Sequence, residues 1–544
     1  MKARDITQLC ASLFDVLVIG GGVHGAAIVY HVAKAGYRTA ILEKDDFCGA
    51  TSANSLKILH GGLRYLQHGN IRRMRHSIIS RKEMMQLASY LVEPLPCIMP
   101  LYDRGLRGTG AMRAALFLND WISWDRNHGL PDELHLPTGH IVSKKKCLEV
   151  IPGIATEDLH GGAVWYDVLA VNTERLVLEY ILQSVDYGAE AANYAQVTAV
   201  ETGDDDLYGV TILDRLSLET HCLKARYIVN ASGPWFEKIL QTPGPATKKR
   251  QKWALALNIV SRKKIFNDYA VALEGTSRYE DKDALIKRGK RLYFFVPWQG
   301  CTMIGTEYEG SDAHPGSLEV SRESVQNMVN EVNAIYPAAQ LKYEDISFFH
   351  AGLLPMRTES EAGAVQLEKN STFFAHKEDN FHRVLSVKGV KYTTAPWIAR
   401  EITAFLQKQY QPACQREAPA DSSFESERQA ARNSPLFAPL EKKYGKRAMK
   451  IIPLVVQEDD IWLDEAAQLL KAEVTYLVTE EMVCKLSDIV FRRTGLGNAD
   501  CPQHTVLVKT AAYMGEILGW DTARQKREVD EVLRRYSPLV VHGF

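Results

Sequence analysis

The sequence predicts an α/β protein in three parts: a unit built on a parallel sheet, a unit resting on a second β-sheet, and a helical C-terminal unit. Three observations carry the prediction. A strand–glycine–helix–strand order fills residues 14–43, an aromatic hairpin pattern lies near residue 300, and apolar residues recur at helical spacing beyond residue 424. The length agrees: 544 residues, at about 150 per domain, make three or four domain-sized units. With 46% hydrophobic and 24% charged residues the chain is globular, which excludes a disordered, collagen-like or simple coiled-coil protein.

Phe14-Asp15-Val16-Leu17-Val18-Ile19 is a short apolar run that reads as a buried parallel strand. Gly20-Gly21-Gly22-Val23-His24-Gly25 fits G-x-G-x-x-G, and Ala26 to Ala35 supply the small and apolar residues of a helix lying close on a sheet. Thr39-Ala40-Ile41-Leu42 is a second strand, ending at Glu43. Gly20 permits a tight turn, Gly22 lets a pyrophosphate approach the backbone, and Gly25 lets helix and strand pack closely. The helix N-terminus offers unpaired N–H groups and the positive end of its dipole to phosphates. Glu43, 18 residues after Gly25, is placed to accept hydrogen bonds from ribose hydroxyls. The complete order predicts a Rossmann-like dinucleotide site.

Three later segments bear on which dinucleotide. Gly49 to Ser55 is small and polar and could line a second phosphate region. Tyr227-Ile228-Val229-Asn230-Ala231-Ser232-Gly233 is a strand ending in small residues, able to pass under a cofactor. Val387 to Thr394 carries Gly389 and precedes a helical stretch from Pro396 to Gln407, whose first N–H groups could face a flavin carbonyl. Such scattered pieces suit a large, enclosed cofactor. Taken singly, the last two read equally well as ordinary sheet and loop.

Ala50-Thr51-Ser52, Lys57 and His60-Gly61-Gly62-Leu63-Arg64-Tyr65-Leu66 together resemble the FAD-dependent glycerol-3-phosphate dehydrogenase family. Val229 to Trp235 resembles its V-N-A-x-G-P-W, and Ile304-Gly305-Thr306 its I-G-T. Leu385 to Thr394 resembles its L-S-V-x-G-G-K-x-T-T, and Arg492 to Gly497 the R-R-T-x-L-G of its C-terminal domain. The resemblance spans nearly the whole chain. It implies an FAD-binding Rossmann-like domain of the glutathione-reductase type, FAD as cofactor, and oxidation of a secondary alcohol, with electrons leaving to a quinone or oxygen. The cofactor-binding candidates are Gly20, Gly22, Gly25, Glu43, Thr51, Ser52, Asn54, His60, Gly61, Gly62, Val197, Ala231, Gly233, Gly389, Lys391, Tyr392 and Thr393.

The chain departs from that family mainly on the substrate side. The family's G-x-R-P arginine, which helps hold a phosphorylated substrate, is Leu354 here, with Arg357 three residues on as a stand-in. G-T-T-D becomes Gly305-Thr306-Glu307-Tyr308, K-G-S-H becomes Leu255-Ala256-Leu257-Asn258, G-G-K becomes Gly389-Val390-Lys391, and T-T-Y-R becomes Thr393-Thr394-Ala395-Pro396. Losing an arginine removes a bidentate fork for phosphate. Three readings stay open: a dehydrogenase of glycerol 3-phosphate or a close hydroxy-phosphate, a diverged flavoenzyme for another hydroxy or amino compound, and a flavin-binding module without turnover.

For the reaction, His60 is the candidate base, because imidazole titrates near working pH. Its alternative is a histidine that only hydrogen-bonds the loop or cofactor. Arg64 and Lys391 are candidate handles for an anionic substrate, with Arg357 a third substrate-binding candidate; positioning by such groups lowers the barrier. Arg64 could instead pair with a carboxylate of the fold, and Lys391 could stand by the flavin N1/C2=O edge. Tyr65 reads as a packing residue and Cys48 as a small buried one.

The expected division is a discontinuous FAD-binding domain (1–90, 150–240 and 350–408), a substrate domain (91–149 and 241–349), a linker (409–424) and a helical C-terminal domain (425–544). Leu292–Trp298 and Thr302–Gly305 read as a hairpin turning at Gln299-Gly300, and Trp253–Val260 as another strand. In the tail, Leu463, Ala467, Leu470, Val474 and Leu477 mark helical periodicity. Met112 to Trp124 is amphipathic, basic and aromatic; packing on its own domain is the preferred reading and a lipid interface the alternative. Lys248-Lys249-Arg250-Gln251-Lys252 reads as a solvated loop.

Lys and Arg total 65 against 66 Asp and Glu, so no global charge favours nucleic acid. Nine cysteines, an odd number without a C-x-x-C pair, argue against a disulfide framework or metal site and for a reducing compartment. No secretory pattern opens the chain and no apolar run reaches membrane-spanning length. The expected setting is the cytoplasm, with peripheral contact to the inner face of a membrane left open. The expected partners are a small anionic substrate, an electron acceptor and a second copy in a homodimer.

Overall fold

The computed structural model describes residues 4–102, 108–203, 206–239, 251–278, 290–311, 315–316, 318–359, 365–376, 381–412, 429, 431–455 and 461–536. Leu13–Ile19 has apolar side chains on both faces, so it can only lie inside a sheet. It pairs in parallel with Thr39–Leu42 on one side and Thr220–Asn230 on the other. Phe381–Lys388 and Glu190–Ala192 extend the sheet in parallel on the two sides. Val16 and Val18 pack under the helices Val23–Lys34, Thr173–Asp186 and Ala395–Gln409. Leu17 and Ile19 instead face an antiparallel meander, Ala195–Thr202 and Tyr208–Asp214, that feeds Thr220–Asn230. Successive connections leave Leu13–Ile19 toward opposite sides, so a crevice opens at its carboxyl end, where Gly20 begins the fingerprint.

Among the described residues the second sheet has ten strands. Lys252–Ser261 is flanked antiparallel by Ile346–Glu359 and Cys301–Ser311. The expected hairpin is present: Lys290–Trp298 pairs with Cys301–Ser311, and Gln299 and Gly300 have φ of 49° and 76°, as a two-residue turn between right-twisted strands requires. Helix Arg322–Ile335 covers one face. The same sheet takes in Gly161–Ala170 and Ile346–Glu359, stretches that the sequence division gives largely to the dinucleotide unit.

The tail contains helices Phe437–Tyr444, Lys471–Glu480, His504–Leu518 and Thr522–Arg534. One helical expectation is corrected. Leu463 and Leu470 lie in a small antiparallel pair, Trp462–Asp464 with Leu469–Leu470, and Ala467 sits in its turn. The Asp464 carboxylate accepts from the Ala467 N–H at 3.0 Å, and this local bond competes with a helix. Val474 and Leu477 are helical as expected.

Met112 to Trp124 overlaps helix Thr109–Ile122, which buries Leu116 and Ile122; Phe117 and Trp121 on the helix and Trp124 just beyond it are 74%, 68% and 79% exposed. Packing on its own domain therefore accounts for only one face. In the basic run, Lys248 to Arg250 lie outside the described residues, while Lys252 begins a strand rather than a loop. Most of the expected linker lies outside them too. Among the described residues no helix is long and apolar enough to cross a membrane.

Candidate active site

The crevice opens into a cavity of about 1700 Å³ lined by both sheets. All the candidate site residues line it except Gly25 and Gly61. Gly20 has φ +104°, and a Cβ there would fall 2.7 Å from the Ala231 carbonyl oxygen. At Gly25 a Cβ would come 1.8 Å from the Gly20 carbonyl oxygen, so only glycine allows this approach of helix to strand. Gly61 lies behind the wall, its N–H donating to Asp167 at 2.6 Å.

Glu43 does more than await a ribose. Its carboxylate accepts from the Gly21 N–H at 2.7 Å and the Asp45 N–H at 3.0 Å, tying the fingerprint turn to the end of the second strand. Burial, helped by Asp45, pushes its carboxyl up to about 7. Ser52 and Thr51 also serve the fold. Ser52 Oγ accepts from the Val23 N–H at 2.9 Å, and Thr51 Oγ1 exchanges bonds of 3.2 Å with the backbone of Leu353 in the second sheet. The Asn54 amide donates to the Ala50 carbonyl at 2.8 Å. Lys57 is fully buried, 2.8 Å from Glu174 and hydrogen-bonded to Thr173 and Ala53, and so anchors the loop from below. Tyr392 donates from its hydroxyl to the Thr173 carbonyl at 2.9 Å. Cys48 is buried, and burial pushes its thiol well up, in keeping with a small inert residue.

His60 stands at the other end of the fingerprint loops. Its side chain is 44% exposed, and Nδ1 lies 3.1 Å from Asp167 Oδ2. Asp167 is buried on strand Gly161–Ala170 and also receives Arg81 Nη1 at 2.9 Å and Trp165 Nε1 at 3.1 Å. Burial opposes ionisation of Asp167, but His60, Arg81 and the Gly61 N–H outweigh it and hold the carboxyl down at about 2. A permanent carboxylate at Nδ1 keeps a proton on that nitrogen and leaves Nε2 as the acceptor. Asp167 and Arg81 were not found in the sequence: Trp165-Tyr166-Asp167 is only an alternating strand there, and its partner His60 is 107 residues away.

Beside His60 the cavity wall is cationic. Arg64 is exposed and forms no ion pair among the described residues. The Lys391 ammonium lies 4.7 Å and the Arg73 guanidinium 4.4 Å from the Tyr65 ring centre. Tyr65 packs as expected, buried with Met74, Ile78 and Ile122, and it also joins a charged cluster. Burial raises its phenol, but Lys391 and Arg73 bring it down to about 8. Burial lowers the Lys391 ammonium, partly offset by Tyr65. Arg357 lies exposed in the same lining, and half-buried Leu354 stands there in place of the family's arginine.

A nucleotide-sized cavity at a switch point, walled by a glycine fingerprint and ending in a carboxylate-backed histidine, defines a dinucleotide-dependent oxidoreductase. The chain belongs to the FAD dependent oxidoreductase (DAO) family, whose model matches residues 15–405. Residues 418–525 match the C-terminal domain of alpha-glycerophosphate oxidase. It is 28% identical over 523 residues to glycerol-3-phosphate dehydrogenase of Synechocystis sp., covering 91% of this chain and 90% of that one. It is 26% identical over 543 residues to the enzyme of that name from Mycobacterium leprae, covering 95% and 87%. The glycerol-3-phosphate dehydrogenase of Bacillus halodurans complexed with FAD shares the fold, with a TM-score of 0.71 at 21% identity over 99% of this chain and 97% of that one.

The residues present fit FAD. Gly22 lines the cavity, and a Cβ there would press to 3.0 Å from Ser52 Oγ, so glycine keeps a side chain out of this wall. The buried Nε2 of His24, in the lining at the helix start, has no partner among the described residues.

Proposed function

We propose that the protein oxidises glycerol 3-phosphate, or a close hydroxy-phosphate, at its secondary hydroxyl to give the ketone. The observation that carries this reading is one cavity lined by both an Asp167-backed His60 and the cations Arg64 and Lys391. Bound FAD supplies the acceptor for the hydride. His60 Nε2 takes the hydroxyl proton, and Asp167 stabilises the imidazolium that forms. Arg64 and Lys391 hold the phosphate and so fix the reacting carbon. Arg73 adds positive charge beside Tyr65. The names of the two relatives support the substrate class. In this reading a quinone or oxygen is the final acceptor.

Anaerobic titration of the purified holoprotein with hydroxy-phosphates, hydroxy acids and amines tests it. Loss of flavin absorbance with glycerol 3-phosphate alone supports the reading. Bleaching by another compound supports the alternative that Leu354 favours, a hydroxy or amino substrate held without an arginine fork. No bleaching by any compound leaves a flavin-binding module. Arg64→Leu should raise the half-saturating glycerol 3-phosphate concentration by roughly 10- to 100-fold, as expected for losing a charge-assisted hydrogen bond. An unchanged half-saturation would remove Arg64 as a handle.

The exposed Phe117, Trp121 and Trp124 support peripheral membrane contact through helix Thr109–Ile122. The protein should sediment with anionic phospholipid vesicles, and the double change Phe117→Ser, Trp121→Ser should leave most of it in the supernatant. Equal sedimentation of both forms would remove this helix as the contact.

A further inference from the structure

We propose that Lys44 and Trp235 form a latch that retains the adenosine half of FAD. The Lys44 ammonium stands 3.6 Å from the centre of the Trp235 ring, and both residues line the cavity. They come from the loops after Thr39–Leu42 and Thr220–Asn230, the two strands that flank Leu13–Ile19 on either side. The contact therefore bridges the crevice above the carboxyl end of the central strand, across from Gly20 and Gly22. It stands on the ribose side of the fingerprint, since Lys44 directly follows Glu43. His60, Arg64 and Lys391 belong to the substrate end of the same cavity.

The two partners differ in stiffness. Trp235 closes a short turn, Gly233–Trp235, in which Gly233 has φ +57° and Pro234 has its own φ fixed by its ring, so the backbone that carries the indole is pre-set. Lys44 is a flexible arm. Its neighbour Asp45 lies 3.6 Å from the ammonium but is also held by the Arg215 guanidinium, so Asp45 does not monopolise the lysine. A ring on a pre-set backbone and a mobile cation are what a contact needs if it is to open for entry and close afterwards.

The inference rests on FAD binding and not on the substrate reading. In the full-length holoprotein, Lys44→Met and Trp235→Leu should each release FAD about 5- to 30-fold faster than the parent, the range a cation–π contact supports. Lys44→Arg, which keeps the charge, should release it at close to the parental rate. Affinity of the full chain for FMN, which lacks the adenosine half, should be unchanged in all three. Parental FAD release in Lys44→Met would overturn the latch, and this variant carries the test if Trp235→Leu does not fold. Equal weakening of FMN and FAD would also overturn it, because the pair would then be supporting the fold.

Discussion

His60→Gln should slow substrate-driven flavin reduction by about 10²- to 10⁴-fold, the span usual for loss of a general base, while FAD stays bound. The expectation follows from the position of His60 at the cavity wall, with its back nitrogen held by Asp167. Asp167→Asn should slow reduction for a different reason. Gly61 and Arg81 both donate to the same carboxylate oxygen, so an asparagine there would keep its carbonyl toward them. Its NH₂ would then face His60 Nδ1 and force the proton onto Nε2, the nitrogen that has to accept. The pH dependence has a definite sign. With its folded pKa near 2 and a usual value of 3.8, Asp167 contributes stability above about pH 4 that is lost as pH falls toward 2. At working pH the carboxylate is constant, so Asp167 itself adds no pH dependence to the reduction rate. Stopped-flow reduction of both variants over pH measures this. A parental rate in His60→Gln would remove His60 as the base.

Asp46→Ala should destabilise the folded protein by about 3–5 kcal/mol, the cost of leaving a buried charge unpaired. Asp46 is buried three residues beyond Glu43 and receives Arg493 at 2.8 and 2.9 Å, Arg492 at 2.6 Å and Asn193 at 2.8 Å. Burial alone would raise its carboxyl, but Arg493 and Arg492 hold it down. A second buried pair, Arg175 to Glu481 at 2.6 and 2.7 Å, fastens the same part of the tail to helix Thr173–Asp186. Thermal and denaturant unfolding should show the loss, together with weaker retention of FAD, because the loop that starts at Glu43 loses its anchor. Unchanged stability would mean that the Asp46 cluster adds nothing to the docking of the tail.

Local pattern made the dinucleotide unit legible. A buried strand, glycines at fixed spacing and an acid at the next strand end are all neighbours in sequence, and each has a steric reason that survives folding. The hairpin at Gln299-Gly300 was legible for the same reason. What escaped depends on contacts between distant segments. Asp167 looks like any inward strand residue until His60 and Arg81 are brought to it. Tyr65 is core as it looks, but that Lys391 and Arg73 meet its ring shows only after folding. In the tail, apolar spacing suggested helix through Leu470, but one aspartate side chain bonding its own backbone was enough to make a turn. Leu354 was legible as a missing arginine, whereas the charge around Tyr65 could be seen only in three dimensions.

The Asp46–Arg493 bond joins residues 447 positions apart. The loop beyond Glu43 is therefore finished only by a segment that is synthesised 447 positions later. A nascent chain released early would carry the complete glycine fingerprint and still lack the brace that steadies its nucleotide wall. Cofactor loading in the cell should thus wait until the segment around Arg493 has been made and docked, rather than accompany the emergence of the fingerprint from the ribosome.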